Sequence, residues 1–286
     1  SIAEQWLNGE LDSFDAVVFS RSDDSAQRLY YYVCELQRRG QCGGPKPLMF
    51  DIASWNRESS LAHTVDSTRR LAGELNVSED LLPGAIDRVA QRLNLMLEAV
   101  ESTRAPRPAR GSFIQRRLLA AAQDWSPQLD QTLTDSQDPL PASTDATPLM
   151  MIGSTPGNEQ LHEAAERAGA NIVATLNAST PYWSEVEANA GDAFKQIARR
   201  CHAHPWRSMQ QAPEVFCARA KELHVAGVVL WILAQDTGLS WVYPRLERSL
   251  REAGIPVLSL TMQQWNASAE TLDAIGNFAS KVRAPT

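Results

Sequence analysis

Val225-Ala226-Gly227-Val228-Val229-Leu230-Trp231-Ile232-Leu233-Ala234 is the longest apolar run in the chain. Its length suits a buried strand and falls far short of the ~20 continuous apolar residues of a membrane span. Successive apolar side chains point to opposite faces of a strand, so both faces of this one must be covered, as they are inside a parallel sheet. The loop Gln235-Asp236-Thr237-Gly238 follows, and a helix is expected from Trp241 to Ala253, ended by Gly254. Ile255 to Leu260 then reads as the last strand, and Ala267 to Val282 as a C-terminal helix.

Working back from this run, the same alternation recurs. Pro148 to Gly153 reads as a strand, with Thr155 as N-cap and Pro156 at the first position of a helix reaching Ala168. Asn171 to Leu176 is the next strand, and helices follow over 190–200 and 212–223. In the first half, Asp15 to Ser20 and Pro47 to Ile52 read as strands joined by a helix from Ser25 to Arg39, closed by Gly40. Residues 59–103 are helical in pattern, with Ser78, Glu79 and Asp80 at a helix start, and 112–124 form another helix. Residues 135–148, rich in Ser, Thr, Asp and Pro, read as a linker. The fold class is therefore α/β: two parallel-sheet units, over 1–140 and 147–286, with a helical insertion between them. A small ligand is expected in the crevice between the two units.

Composition narrows the partners. The 286 residues carry a net charge of -7, and the pairs Arg38-Arg39, Arg69-Arg70 and Arg116-Arg117 read as solvated helix faces. Nucleic acid is thus not an expected partner, and neither is a membrane. Four cysteines, Cys34, Cys42, Cys201 and Cys217, form no C-x-x-C pair. They are expected to be free thiols in a reducing cytoplasm. The N-terminus has no signal-peptide pattern, and its abrupt start in a helical segment suggests that material precedes Ser1.

In open α/β sheets, ligands bind beyond the carboxyl ends of strands. Three loops lie at such ends, and they supply the candidate site residues: Ser22, Asp23 and Asp24; Gly153, Ser154 and Thr155; Gln235 and Asp236. The Gly153 loop lacks both Walker A and G-x-G-x-x-G spacing, although its small residues would admit a phosphate or carboxylate. Asp23 and Asp24 read as helix-capping acids or as a cation or proton-transfer pair. Cys201, His202 and His204 offer metal ligands but no fourth partner, so a surface turn is expected there. His63, His162 and His224 fall on predicted helices, in exposed or core-edge roles.

Three segments carry a resemblance: DAVVFSRSDDSAQRLY at 15–30, the strand, Gly-Ser loop and helix of 148–173, and VAGVVL at 225–230 with Asp236, YPRLE at 243–247 and EAGIPVL at 252–258. In this order they resemble the 2-hydroxyacyl-CoA dehydratase and benzoyl-CoA reductase family, as a dehydratase D-component-like subunit. The resemblance implies a pair of flavodoxin-like (Rossmann-like) units. It also implies a [4Fe-4S] cluster held by three cysteines, an ATP-dependent activator that supplies a low-potential electron, and a CoA thioester substrate. The family's first such cysteine falls on Asp23 and another on or beside Gln235-Asp236, while the remaining one normally lies before Ser1. The resemblance therefore implies a subunit without its own cofactor, paired with a cluster-bearing paralogue. Two other functions fit the residues: a non-catalytic two-lobed module for a small anionic ligand, and a metal-dependent hydrolase built on Asp23, Asp24 and Asp236.

Overall fold

The computed structural model describes residues 2–21, 24–53, 57–134, 138–177, 179–180, 191–203 and 213–283. It is an α/β protein with two parallel sheets, and it divides into two compact units. One comprises Ser1–Val89 and Ser184–His204, the other Ala90–Trp183 and Pro205–Thr286. Among the described residues no helix is long and apolar enough to cross a membrane.

In the first unit, β1 (Ala16–Ser20) and β2 (Lys46–Phe50) pair in parallel, joined by α2 (Asp24–Arg38). The short helix α1 (Ile2–Leu7) sends Trp6 under this sheet, where it stacks on Phe19 and its indole N–H donates to the Gly43 carbonyl at 3.0 Å. Trp6, Phe19 and Val33 form one small core. A second forms where α3 (Glu58–Glu74) meets α8 (Ala193–Ala203), around Val65, Phe194 and Ala198. Arg69 of α3 reinforces that contact by donating to Asp192 at 2.6 Å. Residues 59–103 are helical as expected, with a new start after Ser78: a 3-10 turn at Glu79–Leu81 separates α3 from α4 (Leu82–Glu101). Ser78 gives its hydroxyl to Asp80 instead of capping the helix backbone.

In the second unit the strand order is β4-β3-β5-β6, all parallel, with β3 (Thr147–Gly153), β4 (Ala170–Leu176), β5 (Gly227–Leu233) and β6 (Val257–Gln263). Every residue of β5 is buried, as its apolar run requires. Alternate side chains of β3 and β5 divide between two cores. Met150, Ile152, Leu230 and Ile232 meet α9 (Glu214–Glu222) and α10 (Thr237–Glu252); Leu149, Met151, Val229 and Trp231 meet α7 (Gln160–Arg167) and α11 (Ala269–Val282). Each such side chain contributes roughly 1.5–3 kcal/mol by leaving water.

Two further helices belong to this unit, α5 (Gly111–Gln123) and α6 (Pro127–Thr134), of which α6 lies in a stretch that the sequence leaves without an assignment. The first amides of α5 are answered from the sheet and from α7. Asn171 Oδ1 accepts from Gly111 N at 2.7 Å, and Glu166 accepts from both the amide and the hydroxyl of Ser112 at 2.8 Å. Only glycine fits at 111, since a Cβ there would lie 2.4 Å from the Ile172 carbonyl oxygen. Arg92 of α4, 2% exposed, donates to the Ala121 carbonyl at 2.8 Å, pairs with Asp130 and lies over the Trp125 ring, so it ties α4, α5 and α6 together.

Several local expectations are corrected. The helix after β3 starts at Gln160, not after Thr155. Asn158 first turns the chain by accepting from Gln160 N at 3.0 Å, and Glu159 occupies the N-cap. The helix after β5 starts at Thr237, four residues before Trp241, because Asp236 caps it. The 201–203 segment is the last turn of α8 and not a surface turn; His204 lies outside the described residues. His224 follows α9 with a positive φ of 50° rather than lying on a helix. His162 is a core residue, 1% exposed.

Candidate functional site

Because all four strands of the second sheet are parallel, their carboxyl ends share one edge. From β3 the chain crosses to β4 on one side, and it later returns past β3 to place β5 on the other. The point where strand order reverses therefore lies between β3 and β5. The helices that follow these two strands cover opposite faces, α7 on one and α10 on the other. This divergence is what opens a crevice at such a switch point in doubly wound sheets.

Three of the expected site residues meet there. Gly153 ends β3 with φ 142°, and a Cβ on it would lie 1.9 Å from the Trp231 carbonyl oxygen. Any larger residue would push β3 and β5 apart. Ser154 then bridges the strands: its amide donates to Trp231 O at 2.7 Å, and its hydroxyl accepts from Leu233 N at 3.0 Å. The same hydroxyl donates to Asp236 Oδ2 at 3.0 Å, while Asp236 Oδ1 accepts from Leu239 N at 3.2 Å. Asp236 is thus both the N-cap of α10 and the partner of Ser154. A carboxylate is favoured there by the positive end of the helix.

The remaining candidates sit around this node or elsewhere. Thr155 pairs with Ser179 Oγ at 3.1 Å, and Gln235 is exposed beside Asp236. Asp24 is the first residue of α2, and Ser22 and Asp23 lie outside the described residues. The sequence did not single out the end of β4, where Asn177 Oδ1 accepts from Ser179 N at 2.8 Å and its backbone N–H donates to Thr180 Oγ1 at 2.7 Å. An Asn-x-Ser-Thr run directly after a strand was the available signal.

Donor chemistry at this edge does not suit an iron–sulfur cluster. Asp236 supplies hard oxygens already committed to Ser154 and Leu239, and such clusters take soft thiolates. The four thiols sit apart in the chain, Cys34 on α2, Cys42 before β2, Cys201 on α8 and Cys217 on α9. Among the described residues no three His, Cys, Asp or Glu side chains gather as a metal site.

What this geometry defines is a parallel α/β protein with a serine–aspartate node at its switch point. A family model described as 2-hydroxyglutaryl-CoA dehydratase, D-component, matches residues 1–279, and the chain belongs to that family. No curated protein matches it.

Proposed function

We propose that the chain is a subunit of a 2-hydroxyacyl-CoA dehydratase or benzoyl-CoA reductase-like complex that acts on a CoA thioester in the cytoplasm. The observation that carries this reading is the family match, which runs through both units from residue 1 to residue 279. The node of Ser154 and Asp236 at the switch point, with Thr155 beside it and Asn177 at the neighbouring end of β4, supports it, because such polar groups suit a thioester carbonyl and an amide-bearing arm.

In this reading the chain carries no cluster of its own. Asp23 and Gln235-Asp236 stand where the resemblance puts thiolates, so a cysteine-complete paralogue holds the [4Fe-4S] cluster and an ATP-dependent activator charges it. Anaerobic purification from the native source, with iron, acid-labile sulfide and co-purifying proteins assayed together, tests the proposal. A cluster-bearing paralogue with about four irons per pair is the expected result. A lone, iron-free chain that binds small anions would overturn it in favour of a non-catalytic binding module.

A further inference from the structure

A second polar group lies at the carboxyl end of the first unit's sheet. Arg21 directly follows β1, and Asp51 directly follows β2. His63 reaches in from α3, its Nε2 3.1 Å from Asp51 Oδ2, and Arg21 Nη1 lies 3.3 Å from the same oxygen. α3 also fixes the backbone leaving β2. Asp51 N donates to Ser67 Oγ at 3.0 Å, and Ala53 N donates to Thr64 Oγ1 at 3.3 Å. The carboxylate is held at 20% exposure while His63 and Arg21 remain half-exposed, at 50% and 51%.

Ion pairs this exposed contribute little to stability. The geometry is instead that of an imidazole set beside a carboxylate. Asp51 Oδ2 at 3.1 Å from Nε2 favours the proton on that nitrogen, which leaves Nδ1 as the basic one. The trio sits at the sheet edge where parallel α/β folds bind ligands.

We propose that His63 is a proton-transfer residue, with Asp51 as its positioning residue and Arg21 as the positive charge facing the substrate oxygen. The inference rests on the thioester reading above and deepens it: this chain moves a proton for the complex although it lacks the cluster thiolates. Nδ1 takes the proton from the carbon beside the thioester carbonyl. The electron pair of the broken C–H bond moves into the carbonyl, and the resulting enolate oxygen is balanced by Arg21. Return of the proton from Nδ1 restores both partners, so no oxidant or reductant is consumed.

The test uses the full chain as purified with its partner, and butanoyl-CoA in deuterium oxide as the probe. Exchange of the hydrogens beside the carbonyl is followed by mass spectrometry, and thioester binding by calorimetry. His63→Gln is expected to slow exchange by about 100- to 10,000-fold at saturating thioester while leaving affinity within about threefold. Asp51→Asn should slow it less while thioester affinity stays within about threefold, whereas a purely structural loss would weaken binding as well. Should His63→Gln fail to fold by thermal melting, Asp51→Asn and Arg21→Gln carry the same measurement. Intact binding with exchange unchanged in His63→Gln overturns this inference and leaves the parent reading standing. A wild-type complex that binds no thioester overturns both.

Discussion

Ser154 and Asp236, 82 residues apart in the chain, are joined by a hydrogen bond of 3.0 Å across the ends of β3 and β5. Each also holds a backbone amide, Ser154 that of Leu233 and Asp236 that of Leu239. Asp236→Ala is therefore expected to cost about 1–3 kcal/mol through the lost cap and the unpaired hydroxyl. Ser154→Ala should cost a similar amount, because it strands the buried Leu233 N–H. Urea unfolding of both single variants and the double variant checks the coupling. Non-additivity beyond about 0.5 kcal/mol is expected, and strict additivity would mean that the bond is not formed in solution.

Gly153 leaves no room for a side chain. Since a Cβ would meet the Trp231 carbonyl oxygen at 1.9 Å, and both strands are central, Gly153→Ala should cost more than about 4 kcal/mol. Soluble yield and circular dichroism report the outcome. A variant that folds with near-native stability would contradict the close pairing of β3 and β5.

His162 makes the protein sensitive to mild acid. Burial lowers its pKa to about 3, its Nε2 lies 2.9 Å from Thr175 Oγ1, and its Nδ1 has no partner among the described residues. The unfolded chain takes up a proton near pH 6.5 and the folded one does not. The neutral ring's stabilising contribution is thus complete above pH 6.5 and shrinks by about 1.4 kcal/mol per pH unit below it, until the folded value is reached. Comparing urea midpoints at pH 7 and pH 5.5 tests this, with His162→Leu expected to show a flatter dependence whatever its own baseline.

Asp138 acts in a lower window. Burial alone would raise its pKa, but the fork from Arg110, at 2.8 and 3.0 Å, and the amides of Leu140 and Arg110 outweigh it and hold the carboxyl below its ordinary range. Its contribution is present above the unfolded value of about 3.9 and is lost as pH falls through the lower folded value. Asp138→Asn should cost about 3 kcal/mol at pH 7 and remove this part of the acid limb. An acid limb unchanged from wild type would argue against the ion pair.

The strands were legible because burial on both faces writes an unbroken apolar run, as in β5, whereas the helix starts were not. At Thr237 the sequence shows Thr-Gly and, seven residues on, Pro244, all signs of a loop; Asp236 and the hydroxyl of Ser240, which donates to the Asp236 carbonyl at 3.1 Å, stabilise the first turn against them. His162 was misplaced because one sequence cannot reveal that α5 would pack on α7 and bury a face that looks polar. At the switch point, Gly153, Ser154 and Asp236 each follow a strand, which marked them, but their mutual hydrogen bonds depend on strand order. Strand order is a long-range property that no local pattern contains. The trio of Arg21, Asp51 and His63 escaped for the same reason, since only the pairing of β1 with β2 brings them together.

The anchoring of α5 also determines where the chain can be divided. A gene fragment opened in the linker just before β3 would keep Asn171 and Glu166 but discard the Gly111 and Ser112 groups that answer them. It would expose the flank of β4 and leave one carboxylate beside an empty groove. The inheritable module is therefore longer than its sheet, and shuffling or split-protein designs would do better to cut upstream of Arg92 than at the Ser- and Pro-rich linker that looks like the natural seam.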